Sequence, residues 1–216
     1  PGRFLVATSF ANGSLQILLA AGPVVLAMLG ASAVEISAYF VTASLARAPL
    51  LVGVSLVPRL LAPLTRKAEM GEFDQVRSAA WLVVGATLAA AAVIGAAAFL
   101  LGPAVVGLIY GADFAITGLA TGAAVAAVIV SLGALGLNQV LIAEVRVQRL
   151  VISWVTGLCA AVVGVLLLPT DPVTKVAVGS LIGQVVVVVA LAFSIQSIDS
   201  RSAERWTVRW RQLSRS

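Results

Sequence analysis

Six long apolar runs, separated by short polar links, follow one another along the chain. Each run has about 20 residues or more, the length that a helix needs to cross the roughly 30 Å hydrocarbon core of a bilayer. Composition agrees, since 61% of the 216 residues are hydrophobic, 11% are charged and the mean hydropathy is +1.09. We therefore predict an all-α integral membrane protein with one bundle of six transmembrane helices over residues 1–198. The predicted spans are about 4–30, 36–57, 79–101, 116–142, 150–169 and 173–198.

Glycine and proline predict where spans end and where they pack. Gly102 and Pro103 predict the end of the third span, which leaves residues 104–114 as a segment too short to cross the membrane. Gly179 and Gly183 form a GxxxG spacing that favours close packing of the sixth span against another helix. Small residues at similar spacing recur in the fourth span, at Gly118, Gly122, Ala126 and Gly133.

Residues 199–216 form a basic tail with five arginines. Within it Trp206, Trp210 and Leu213 recur at helical spacings of four and three residues. This pattern is typical of an amphipathic helix that lies on an anionic leaflet. A frayed basic tail is the alternative interpretation.

The basic residues are distributed unevenly between the two sides of the membrane. If the six spans alternate in direction, twelve of the 14 lysines and arginines fall on one side, Lys175 falls on the other, and Arg47 lies within a span. Cytoplasmic loops carry the excess of lysine and arginine in membrane proteins, so we predict that both ends of this segment are cytoplasmic. The basic excess is thus explained by topology, and we expect no nucleic-acid partner.

Arg47 is a charged residue near the middle of a predicted span. A cation at the centre of a membrane helix costs about 2.5 to 3.5 kcal/mol on insertion scales, so such residues usually face a wet cavity or a partner. Pro49 removes a backbone donor two residues later and tends to bend the helix. The pair predicts a cationic site beside a hinge. Alternatively, Arg47 donates to carbonyls that Pro49 frees, or extends to the membrane interface.

Amide side chains are further candidates for a polar interior. Asn12 and Gln16 lie in the first half of the first span, whose Pro23 is a candidate hinge, and Gln139 and Gln184 lie in later spans. The alternative for the first two is a position near the headgroups.

Catalytic and metal-binding chemistry finds little support in the residues. The chain has no histidine, and Cys159 is its single cysteine. Histidine catalysis, common zinc sites and an internal disulfide are therefore excluded. We predict a protein that is not an enzyme and that uses no metal or cofactor.

Three stretches carry a resemblance to a known family. They are AYFVTASLARAPLLVGVSLVPRLLAPLTR at 38–66, IYGADF at 109–114 and LGLNQVLIAEVRVQRL at 135–150. Their order within a six-span layout resembles the C-terminal half of bacterial polysaccharide biosynthesis flippases of the O-antigen type, in the multidrug/oligosaccharidyl-lipid/polysaccharide exporter superfamily. The family often has a glycine and basic residues after the fourth of these spans, where this chain reads AEVRVQRL.

The resemblance implies a function, a location and a missing partner. Family members have two lobes and export polyprenyl-diphosphate-linked oligosaccharide for cell-surface polymers such as lipopolysaccharide. This chain would be one lobe of such a transporter in the bacterial plasma membrane, and its partners would be the lipid-linked glycan, membrane lipids and an N-terminal lobe of the same protein. Arg47 would bind the diphosphate, with Asn12, Gln16, Gln139 and Gln184 as further candidates for substrate binding, and alternating access would move the substrate.

Two other functions are compatible with the sequence. A drug or cation antiporter of the same superfamily commonly needs carboxylates within its spans, whereas all nine acidic residues of this chain fall in links, turns or the tail. A membrane scaffold subunit would need only the glycine faces and the tail, and would leave the cost of Arg47 unexplained.

Overall fold

The computed structural model describes residues 2–48, 73–143 and 147–197, and within these ranges it contains helices and no strands. Residues 33–48 are helical and are called α3. The other helices are α1 (Gly2–Ala20), α2 (Gly22–Met28), α4 (Phe73–Tyr110), α5 (Gly118–Ala143), α6 (Val147–Leu167) and α7 (Pro172–Gln196), with a short 3-10 turn at Ala112–Phe114.

The helices confirm a multi-pass membrane protein. The four helices α4 to α7 are each long and apolar enough to cross a bilayer, and α1 with α2 forms a fifth candidate that bends by 59°. The predicted second span, 36–57, is helical as far as residue 48. Its remainder with Pro49, the polar loop up to residue 72 and the tail from 199 lie outside the described residues.

The third span is longer than predicted, because Gly102 and Pro103 do not end it. Helix α4 continues through them to Tyr110 and has 38 residues. Pro103 leaves the carbonyl of Phe99 without its helical donor, and this carbonyl lies directly against Gly118 of α5. A Cβ on Gly102 would collide with the Thr121 side chain, also on α5. The two residues thus serve close packing between helices, which tolerate proline when neighbours shield the freed carbonyl.

Glycine contacts hold α6 against α7. A Cβ on Gly183 would stand 2.9 Å from the carbonyl oxygen of Gly157, and one on Gly179 would stand 3.1 Å from that of Ala161. Neither position leaves room for a side chain, so the two backbones approach as closely as a GxxxG pair permits. The close packing predicted for this glycine pair is therefore confirmed.

Two helices at the same end of the bundle begin with side-chain caps. Ser32 precedes α3, and its amide and hydroxyl donate to the Glu35 carboxylate at 2.7 and 2.8 Å, while the Glu35 amide donates back to the Ser32 hydroxyl at 3.3 Å. This reciprocal arrangement is a capping box, and its hydrogen bonds lower the pKa of Glu35. Asp171 caps α7 by accepting a 2.9 Å bond from the amide of Thr174.

Candidate functional site

Arg47 lines a narrow crevice at the meeting point of four helices. The crevice is bounded by Leu19 of α1, Ala43 of α3, Ala124 of α5 and Ser180 of α7. At a rise of about 1.5 Å per residue, Arg47 lies about 22 Å along the axis from the cap at Ser32, well within a bilayer. The side chain is half-buried.

The crevice is small, and its described lining includes no acidic residue. Its volume is about 10 Å³, near the lower limit for a single water molecule, so this conformation does not accommodate a diphosphate. Within the described part of the chain, no carboxylate lies within 4 Å of the Arg47 guanidinium. The geometry therefore provides a half-buried cation at the crevice whose charge no acidic side chain among the described residues neutralises.

Asn12 and Gln16 lie on a different surface from the crevice. Both are exposed and, with Ser9, form a polar stripe at positions i, i+3 and i+7 of α1. The opposite face of α1 is buried, as at Ser14 and Leu18. The structure thus does not bring these amides to Arg47. Both amides lie on the outer surface of the bundle, where a neighbouring protein or water can contact them.

Gln184 lies inside the bundle with both polar atoms unsatisfied. It is completely buried in α7, and neither its Oε1 nor its Nε2 has a hydrogen-bond partner among the described residues. It follows Ser180 by one helical turn, and Ser180 lines the Arg47 crevice while donating to the Leu18 carbonyl at 2.8 Å. The Ser14 hydroxyl of α1 is also buried without a described partner. Burying a polar group without a hydrogen bond destabilises a fold by about 1–3 kcal/mol. The bundle interior around Gln184 and Ser14 could therefore accept further hydrogen bonds.

The amides late in α5 have unlike environments. Gln139 is exposed and does not line the crevice. Its neighbour Asn138 is buried and accepts a 3.1 Å hydrogen bond from the indole nitrogen of Trp154. Sequence reasoning missed the roles of Ser14 and Ser180, although each lies four residues from another interior position on its helix, Leu18 and Gln184 respectively.

A large cavity lies between the bent pair α1–α2 and the helices α6 and α7. It measures about 370 Å³, and Tyr39 of α3 and Ser180 of α7 line both this cavity and the Arg47 crevice. The bend occurs at Ala21, two residues before Pro23, and Gly22 there packs tightly against the ring of Tyr39. The break agrees with the position of Pro23. Movement about it stays a prediction.

Metal-ligating and reactive groups are sparse in the described ranges. No group of three histidine, cysteine, aspartate or glutamate side chains could hold a metal ion there, and Cys159 is exposed on α6. No protein-family model, curated protein or solved structure matches the chain.

Proposed function

We propose that the chain is one lobe of a flippase that moves polyprenyl-diphosphate-linked oligosaccharide across the bacterial plasma membrane for cell-surface polysaccharide synthesis. The observation that carries this proposal is Arg47, a cation inside a membrane-spanning bundle without a described carboxylate beside it. A permanently charged group inside a membrane bundle costs free energy, and such residues usually belong to functional sites.

The chemistry of arginine fits a diphosphate. The guanidinium is planar, stays protonated at all physiological pH values and offers five N–H donors, which suits bidentate binding of phosphate oxygens. A carboxylate partner would compete with phosphate for these donors, and none is described near Arg47. The residue is therefore electrostatically available to an anionic substrate.

Substrate entry requires the crevice to widen. In its present width it admits at most one water molecule, so diphosphate binding needs α3 to move relative to α1, α5 and α7. Such movement is part of alternating access, in which one lobe rocks against another around a central site. Pro23, at the break between α1 and α2, and Pro49, which lies outside the described residues, are the candidate hinges.

The polar stripe of α1 supports a second lobe. Asn12 and Gln16 are exposed on α1. Together α1 and α2 are long and apolar enough to form one bent membrane span. Amides facing hydrocarbon would lack hydrogen-bond partners, which is unfavourable. A facing lobe and an aqueous path between the lobes would satisfy them.

The alternative functions have less support. The apolar lengths of the described spans carry no carboxylate for proton or sodium coupling, since Asp74 and Asp171 lie at helix starts. A scaffold would present its glycine faces to partners, whereas Gly122 of α5 and Gly183 of α7 are already used inside the bundle.

The test is glycan export by variants of the full-length protein. Removing one member of a buried charge pair costs about 2–5 kcal/mol, so Arg47→Ala should lower export at least about 30-fold. Arg47→Lys keeps the charge but loses the planar fork, and should be intermediate. Ser44→Ala, an exposed substitution on the same helix that does not line the crevice, is the matched control. Normal export by Arg47→Ala, at an unchanged membrane level, would refute the proposal.

A further inference from the structure

The 370 Å³ groove between the bent helix pair and α6 is almost wholly apolar. Its two lining residues with polar side-chain atoms are Tyr39 and Ser180. The Ser180 hydroxyl is used in its bond to the Leu18 carbonyl, and Tyr39 is buried against Gly22. The groove therefore offers little to a polar ligand, and its chemistry suits a hydrocarbon chain.

The rim of the groove is apolar and exposed. It is formed by side chains that are more than half exposed, namely Ile17, Met28, Val162 and Leu166. Apolar walls gain van der Waals contacts when a hydrocarbon chain lies between them. The volume of the groove falls in the range of ligand pockets, about 300–1,000 Å³, and the chains of surrounding lipids are the molecules at hand to fill it.

Charged groups lie beyond one end of the groove. Val176 lines the groove, and Lys175 precedes it in the first turn of α7. Lys175 has no carboxylate within 4 Å among the described residues. Glu35 and Asp171 cap α3 and α7 at this same end, close enough for the charge of Asp171 to act on Glu35.

We propose that this groove binds one acyl chain of a zwitterionic aminophospholipid, with its phosphate at Lys175 and its ammonium group toward Glu35 and Asp171. One cation and two carboxylates at this end of the bundle complement a headgroup that carries both signs. A purely anionic headgroup would meet one attractive and two repulsive charges. On the predicted topology the lipid belongs to the outer leaflet. The groove adjoins the proposed substrate crevice at Arg47, since Tyr39 and Ser180 line both, whereas Arg47 itself does not line the groove.

Adjacent residues of α6 provide matched variants. Val162 and Leu166 line the groove, whereas Val163 and Leu167 do not, and all four side chains are at least half exposed. Tryptophan at Val162 or Leu166 would fill the groove. Tryptophan at Val163 or Leu167 would change only the outer surface of α6. The two pairs are matched in residue type and in exposure.

Native mass spectrometry of the full-length protein with added phosphatidylethanolamine tests the site. We expect one copy retained by the wild type, by Val163→Trp and by Leu167→Trp, and retention about tenfold weaker for Val162→Trp and Leu166→Trp. Lys175→Gln should also weaken retention.

Three results would overturn the proposal. Equal retention by the groove and control variants would show that the lipid binds elsewhere. Preference for phosphatidylglycerol would contradict the charge argument, and displacement by an equal amount of polyprenyl phosphate would assign the groove to the carrier lipid. Because the readout is binding and not export, failure here leaves the proposed function unaffected.

Discussion

The hydrogen bond between Asn138 and Trp154 gives a quantitative test of how polar contacts stabilise this bundle. Trp154 is completely buried, Asn138 is 2% exposed, and their side chains are 3.1 Å apart. Asn138→Ala would leave the indole N–H buried without its acceptor, which costs about 1–3 kcal/mol. Trp154→Phe would leave the amide unsatisfied and would also remove ring volume, so its cost combines two effects.

A double-mutant cycle separates the bond from these other effects. Such cycles in membrane bundles give coupling energies that average about 0.6 kcal/mol and reach about 1.7 kcal/mol. Complete burial of both groups should place this pair in the upper part of that range. We therefore expect the double variant to be more stable than the sum of the single variants predicts, by about 1 kcal/mol.

The assay is reversible unfolding of the purified protein in mixed micelles, followed by far-ultraviolet circular dichroism so that loss of a tryptophan does not affect the signal. Gln139→Ala is the control, because this neighbour is exposed and should change stability by less than about 0.5 kcal/mol. A coupling energy below about 0.3 kcal/mol, the scatter found for independent sites, would refute the reasoning.

Two further predictions concern helix packing and pH. Gly183→Val should separate α6 from α7 and destabilise the bundle by about 1–3 kcal/mol, whereas Gly85→Val, where a Cβ meets nothing within 4 Å, should have little effect in the same unfolding assay. The hydrogen bonds from Ser32 hold the pKa of Glu35 below its ordinary value of 4.5, so their contribution is fully present above that pH and is lost as pH falls through the lower, folded-state value. Melting temperatures should therefore fall less between pH 6 and pH 3 in Glu35→Gln than in the wild type, and identical pH profiles would contradict this.

The four to five spans that the described helices support could be predicted from sequence, because each requires a long apolar run. The sequence also indicates where α7 begins, since Asp171 and Pro172 are a typical cap and first helical residue. The capping box of α3 likewise corresponds to an S-x-x-E pattern, at Ser32 and Glu35.

The faces of the helices could not be predicted in the same way. In water an apolar stripe marks the buried side of a helix, but lipid is as apolar as a protein core, so both sides of a membrane helix can be apolar. The sequence therefore does not distinguish the buried Gln184 from the exposed Gln139. For the same reason Asn12 and Gln16 were expected beside Arg47, whereas α1 directs them outward.

Breaks and continuations of helices depend on neighbours as well as on local sequence. Pro103 and Pro23 have the same local effect, yet α4 continues through the first and the chain bends near the second. The difference lies in packing, because Gly102 and Gly118 let α4 and α5 approach closely enough to shield the freed carbonyl of Phe99. That partner is 19 residues further along the chain, beyond what a local pattern can indicate.

The length of α4 has a consequence for how the protein can be handled. Its 38 residues extend about 57 Å, and at a typical tilt of about 20° they still cover about 54 Å, compared with about 40–45 Å for a whole bilayer. About two turns must therefore stand in water, and on the predicted topology their most polar candidates are the cytoplasmic residues 73–80, with the Asp74–Arg77 ion pair. Those turns are an epitope continuous with the membrane bundle, so an antibody fragment that grips them could serve as a rigid fiducial for imaging the whole protein.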